Sequence, residues 1–346
     1  MNSKCLIVLV ALLVLGMAVQ TADAQTRKAG INSAAFLKIG VGARQVAMGS
    51  AVTSLNGDVN NMFWNPAGVA LQNETMQASF SHNNWIAGLK QEVAAVSYNL
   101  QDIGTIGVGA IMFGVSGIPA DRDYGYTDPQ LHALEIDAVG TPTYDYQDLC
   151  LQATISRYIT DNLTLGLSAK YVSEKIDDQS ASSIAFDLGS VYSIGVMGWS
   201  IGARINNLGG DIKFYDYASP IPLTFSIGTS LVPIEAGKTS VMVAVDLVKP
   251  QDGQQYYYSG MEFNYDKTLF LRLGWKFNYS YMGLIGDGID GGTSQRSPVT
   301  TSLEKGSMGA GVRVPFEGYT VSFDYSYTVF SALQDVHRFT INFAMK

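Results

Sequence analysis

The stretch YTVSFDYSYTV, residues Tyr319 to Val329, decides the fold. Its odd positions are Tyr, Val, Phe, Tyr, Tyr and Val, and its even ones are Thr, Ser, Asp, Ser and Thr. A period of two sends successive side chains to opposite faces of a strand, so one face here is apolar and the other polar. Leu163, Leu165, Leu167, Ala169 and Tyr171 alternate in the same way with Thr164, Gly166, Ser168 and Lys170. Leu269, Leu271, Leu273, Trp275, Phe277 and Tyr279 do so with Arg272, Gly274, Lys276 and Asn278. Such strands need a hydrophobic medium on one side and water on the other. Either two sheets pack their apolar faces together in an exported, soluble sandwich, or one sheet closes into a barrel whose apolar face meets lipid.

From Met76 to the C-terminus the pattern gives about fourteen strand-like segments, each near the length of a tilted membrane-spanning strand. The connections discriminate between the two folds. Short links fall at Gln101-Asp102, Thr160 to Asn162, Ile194 to Val196, Pro233 to Lys238, Asp266-Lys267 and Pro315 to Gly318. Long ones fall at Gly117 to Pro142, Gly209 to Pro220 and Gly283 to Ser302. In an up-and-down meander every long link then lies at one end, as in outer-membrane barrels with short periplasmic turns and long extracellular loops. A sandwich gives no reason for this parity. The reading is an all-β chain: an antiparallel transmembrane β-barrel of about fourteen strands, in contact with the lipid of the outer membrane of a Gram-negative bacterium. No repeat of propeller or solenoid length is visible.

The polar face carries Lys170, Asp187, Arg204, Asp246, Glu262, Arg272, Lys276, Arg313, Asp324 and Arg338, all expected to face the lumen. A charge at the midplane of the lipid face costs about 2–4 kcal/mol, which fixes the register. Both signs are mixed, which favours an internal salt-bridge network over a selective pore. Tyr144, Tyr146, Tyr215, Tyr217, Tyr256 to Tyr258, Tyr279 and Tyr281 sit near strand ends, where an aromatic girdle belongs.

At the N-terminus, Lys4 precedes an apolar run from Cys5 to Val19, and Ala22-Asp23-Ala24 stands ahead of Gln25. This reads as a secretory signal peptide, residues 1–24, with export to follow. Its removal would leave Cys150 as the only cysteine, so no internal disulfide is expected. The net charge of −8 argues against nucleic acid as a partner.

Residues 25–75 precede the barrel domain, 76–346, and do not alternate. Val41 to Ala51 suits a short helix, followed by a polar turn and the compact bend Trp64-Asn65-Pro66-Ala67-Gly68. A segment too long for a plain loop and too small to fold alone suits a plug or hatch within the barrel. The phrase FLKIGVGARQVAMGSAVTSLNGDVNNMFWNPAGVA, residues 36–70, resembles the N-terminal signature of the PorV/PorQ family of outer-membrane proteins. That family is related to the FadL-type transporters, which share the Asn-Pro-Ala element in their hatch. The ending FDYSYTVFSALQDVHRFTINFAMK, with His337 and Arg338 opening the last strand, resembles the family's final hairpin. Two functions are implied by the resemblance. PorV-like members handle exported proteins in type IX secretion, which makes secretion-system proteins and cargo the expected partners. FadL-like relatives instead admit hydrophobic small molecules, with the hatch moving to open a path.

Signals for chemistry are weak. His82, His132 and His337 lack metal-ligand spacing, and no G-x-S-x-G elbow occurs. Gly40-Val41-Gly42 lacks the Gly-Lys-Ser/Thr ending of a phosphate loop. The run Gly286 to Gly292 and the group Asp121, Asp123 and Asp128 match no EF-hand. The expectation is a protein without catalytic residues, metal or cofactor.

Overall fold

The computed structural model describes residues 30–70, 74–100, 103–120, 143–253, 255–278, 304–330 and 333–346. The signal peptide 1–24, the Gln101-Asp102 turn, Asp121, Asp123, Asp128, His132, Tyr279, Tyr281 and the run Gly286 to Gly292 lie outside the described residues. The strands are β1 (Met76–Asn84), β2 (Lys90–Leu100), β3 (Gly104–Pro119), β4 (Thr143–Tyr158), β5 (Leu163–Ile176), β6 (Gln179–Ser193), β7 (Ser200–Gly209), β8 (Ile212–Phe214), β9 (Tyr217–Ser219), β10 (Thr224–Ala236), β11 (Thr239–Pro250), β12 (Tyr256–Tyr265), β13 (Leu269–Asn278), β14 (Glu304–Pro315), β15 (Tyr319–Phe330) and β16 (Val336–Met345). Fourteen of them form one closed antiparallel barrel in chain order, while β8 and β9 pair as a separate hairpin between β7 and β10.

Closure is made by β1 against β16, paired without a break from Met76 opposite Met345 to Asn84 opposite His337. The strands β2, β4, β6, β10, β12 and β14 finish at the end of the barrel where β1 begins and β16 finishes. The strands β3, β7 and β13 finish at the opposite end, which the rule of long extracellular loops makes the extracellular one. No helix of the described residues is long and apolar enough to cross a membrane.

The register follows the alternation. On β15, Asp324, Ser326 and Thr328 are buried inside, while Tyr319 and Phe323 face out. Leu165, Phe225 and Phe323 are 43, 41 and 47 % exposed on the outer wall, beside many other large apolar side chains. A continuous belt of this size is unfavourable against water and favourable against hydrocarbon, which excludes the soluble sandwich.

Three local expectations change. Pro233 is not in a turn: β10 runs on to Ala236 through a register shift between Leu231 and Ile234, and a bulge is where a strand tolerates a residue without an N–H. The hairpin β8–β9 escapes a period-two reading because each strand is three residues long. The tyrosines divide. Tyr257 stacks on Phe277 outside, Tyr256 and Tyr258 line the lumen, and Tyr215 and Tyr217 stand exposed on or beside the β8–β9 hairpin.

Cysteines introduced at Leu165, Phe225 and Phe323 should react with a lipid-soluble maleimide and resist a water-soluble one. Cysteine at exposed Arg313, on the inner face of β14, should show the reverse, and equal labelling of both sets would refute the register.

Candidate functional site

Residues 30–70 lie inside the barrel. They form a 3-10 turn at Ala35–Lys38, a short α-helix at Ala43–Ala47, and 3-10 turns at Val59–Phe63 and Pro66–Val69. The helix rests on β13 to β16, the second turn on β1 and β2, and the third on β4 to β6, so the segment crosses the lumen from wall to wall. The helix is shorter than the sequence implies because Gly49 and Ser50 are left-handed, at φ 63° and 65°, which ends it. Asp58 caps the second turn by accepting the Asn60 N–H at 2.9 Å. Asn65 caps the third by accepting the Ala67 N–H at 3.1 Å, with Pro66 placed where no N–H is needed.

The wall receives this segment through paired glycines. Gly166 stands opposite Gly189, Gly202 opposite Gly228, and Gly260 opposite Gly274. A Cβ on Gly166 would lie 2.3 Å from the Ala67 nitrogen, one on Gly260 2.3 Å from the Met48 carbonyl oxygen, and one on Gly274 1.9 Å from the Gly49 nitrogen. Backbone therefore packs directly on backbone at these levels, a contact any side chain would block.

Polar groups then pin the segment. Asn65 donates to the carbonyls of Thr53, at 2.6 Å, and of Ser190 on β6, at 3.1 Å. The Trp64 indole donates to the Val41 carbonyl at 2.9 Å, Ser156 donates to the Ala67 carbonyl at 3.1 Å, and Gly68 sits against the Leu55 carbonyl. Asp246 on β11 accepts from the Val52 N–H, the Thr53 N–H and the Thr53 hydroxyl, at 2.9, 2.9 and 2.7 Å. On the periplasmic side, Glu262 takes Arg44 of the helix at 3.0 Å and Arg272 at 2.6 Å, and Arg272 continues to Asp324 at 2.6 Å. Burial weighs against the charge on Arg44, but Glu262, with Asp58 and Asp324 behind it, outweighs this and holds its pKa above the ordinary value.

The other expected lumenal charges also lie on the inner face. Lys170 pairs with Asp187 at 2.6 Å, and Lys276 pairs with Glu304 at 2.7 Å. Arg204 stacks over Trp64 at 5.3 Å. Arg338 is buried beside Asn83, whose amide oxygen, turned to suit its neighbours, accepts from it at 2.8 Å. Arg313 is the exception to burial: it sits at the periplasmic mouth, exposed, against the ring of Phe270. The ten charges do not form one cluster. Glu262, Arg272 and Asp324 are linked, Lys170 and Asp187 form a separate pair, and the rest are distributed around the wall.

Sequence reasoning missed Arg44, Thr53 and Asp58 as partners of these charges, the inward Asp148 and Glu174, and the glycine pairs. The glycines did carry a signal, since Gly166 and Gly274 occupy polar-face positions in alternating runs. Their meaning needs the cross-strand register.

Three cavities flank the segment. One of about 490 Å³ lies at the extracellular end, with Trp85, Leu89, Phe113, Phe330 and Leu333 in its wall together with the charged Lys38, Lys276, Glu304 and Arg338. A second, of about 400 Å³, is more polar and touches Lys38, Arg204, Asp252 and Tyr256. The third, of about 420 Å³, is charged and opens at the periplasmic mouth around Arg44, Glu262, Arg272 and Arg313. Among the described residues no group of three or more metal-ligating side chains occurs.

Glu262→Gln leaves Arg44 and Arg272 facing each other without their shared carboxylate, at an expected cost of about 3–5 kcal/mol. The change should appear as earlier loss of the folded band in heat-modifiable gel mobility. Gly166→Leu should unseat the Pro66–Val69 turn and open residues 30–70 to limited proteolysis. Gly306→Ala, whose added Cβ meets nothing closer than 3.5 Å, should not.

No protein-family model matches the chain, and no curated protein matches it by sequence. Solved structures do match by shape. The CymD monoaromatic hydrocarbon channel superposes at a TM-score of 0.57 with 11 % identity, covering 89 % of this chain and 98 % of that one. The toluene transporter TbuX of Ralstonia pickettii gives 0.54 with 13 % identity, over 89 % and 98 % of the two chains. The toluene transporter TodX of Pseudomonas putida gives 0.54 with 14 % identity, over 88 % and 97 %. At such identities the likeness establishes the fold, and that fold is the closed fourteen-stranded barrel of Gram-negative outer-membrane proteins.

Proposed function

We propose that this barrel admits small hydrophobic molecules across the outer membrane. The carrying observation is the extracellular-end cavity. Its volume of about 490 Å³ is in the range of small-molecule sites, and most of its lining surface is aromatic and aliphatic. The likeness to a monoaromatic hydrocarbon channel and two toluene transporters supports the same reading. Residues 30–70 stand between this cavity and the periplasmic one, so passage requires part of that segment to shift.

The resemblance of residues 36–70 and of the last hairpin to PorV/PorQ supports a second reading, the handling of exported proteins in type IX secretion. A lumen crossed by a segment seated on paired glycines offers no route for a polypeptide, so this role would have to use the extracellular links.

Deletion of the gene decides between them when uptake of radiolabelled toluene and surface delivery of secreted proteins are scored together. Loss of uptake with normal secretion is expected, and the opposite result would replace the proposal with the second reading. Leu89→Trp, which fills the apolar cavity from the β1–β2 link, should lower uptake about tenfold or more while leaving the folded band intact.

A further inference from the structure

We propose that the outer wall of β4 to β7 holds an anionic phospholipid of the periplasmic leaflet. Cross-strand pairing sets Arg157, Leu165, Ser190, Ala203 and Ile227 in one row on the lipid-facing side. Two adjacent members of that row, Ser190 and Ala203, are small. The next row toward the extracellular end is Ile155, Leu167, Leu188, Ile205 and Phe225, without a small residue. On the periplasmic side stand Leu163, Tyr192 and Ile201. The result is a trough of about 530 Å³ with an almost wholly apolar lining.

The trough cannot be filled from within. Behind it are Gly166 and Gly189, which have no side chain to rotate and are backed by Asn65, Pro66 and Ala67. Its floor is backbone held on both sides, so the depression is a permanent feature of the wall. The exposed lining is aliphatic and aromatic from Ile155 and Leu167 to Ile205 and Phe225, a surface that suits an acyl chain.

Arg157 supplies the headgroup end. It is the penultimate residue of β4, exposed, on the outer face near the periplasmic boundary, and it lines the trough. Among the described residues no carboxylate lies within ion-pair distance of it. An arginine facing lipid is costly at depth and favourable where its planar fork reaches a phosphate at the interface. The complementary ligand places its phosphate on Arg157 and one acyl chain in the trough over Ser190 and Ala203.

The test uses the full-length barrel reconstituted in phosphatidylcholine vesicles carrying spin-labelled phosphatidylglycerol or spin-labelled phosphatidylcholine. Wild-type protein should hold the anionic probe in preference to the neutral one. Arg157→Gln should reduce that preference about fivefold, the effect of one basic residue at an anionic surface. The double substitution Ser190→Leu with Ala203→Leu should abolish retention of either probe at this site, and its folded band on gels controls for misfolding. Equal binding of the two probes to the wild type would overturn the proposal, and so would an unchanged preference in both variants. Copurification of lipopolysaccharide through Arg157 in place of phospholipid, read by mass spectrometry of the detergent-extracted protein, would overturn it as well.

Discussion

A strand edge in hydrocarbon has nothing to bond with, and the whole architecture depends on removing that edge. The pairing of β1 with β16 does so, tying the first barrel strand to the last over its full length. Once the ring is closed, every strand must show lipid one face and the lumen the other. Alternation is then obligatory along all fourteen strands, and charged residues are driven inward. Without the closing pair, neither the apolar belt nor the buried ionic lumen would have a reason to form.

Closure creates a second problem, a polar interior too wide for its own side chains to fill. The chain meets it with residues 30–70. The charges on the wall find partners there or with one another, as at Asp246 with Val52 and Thr53 and at Glu262 with Arg44 and Arg272. Such pairs are costly to desolvate, and removing one partner costs more than the pair contributes. They define where the segment sits more than they add to stability. What remains unfilled is concentrated in cavities at either end, of which the extracellular one is the most apolar within the lumen.

The fourteen barrel strands were legible from the sequence, because a two-sided solvent leaves a period-two imprint on each of them. The parity of the long links gave the barrel and its orientation for the same reason. Inside, legibility fell away. The inward direction of Arg204 or Asp324 follows from register, but their partners depend on how neighbouring strands are staggered and on where residues 30–70 cross. No local pattern encodes either. Asn65 and Pro66 were visible as a bend, since capping is local, whereas the contact of that bend with Gly166 and Gly189 spans about a hundred residues of chain. The hairpin β8–β9 was hidden by its brevity.

The glycine pairs make the inner wall a cast of one guest. Where Gly274 meets Gly49 and Gly260 meets Met48, the two surfaces fit as backbone to backbone, and neither can change its relief alone. The barrel and its inner segment are in this sense a single inheritance: a segment exchanged from another barrel would meet glycine hollows cut to a different outline, and only a matched exchange of wall and segment would restore the fit.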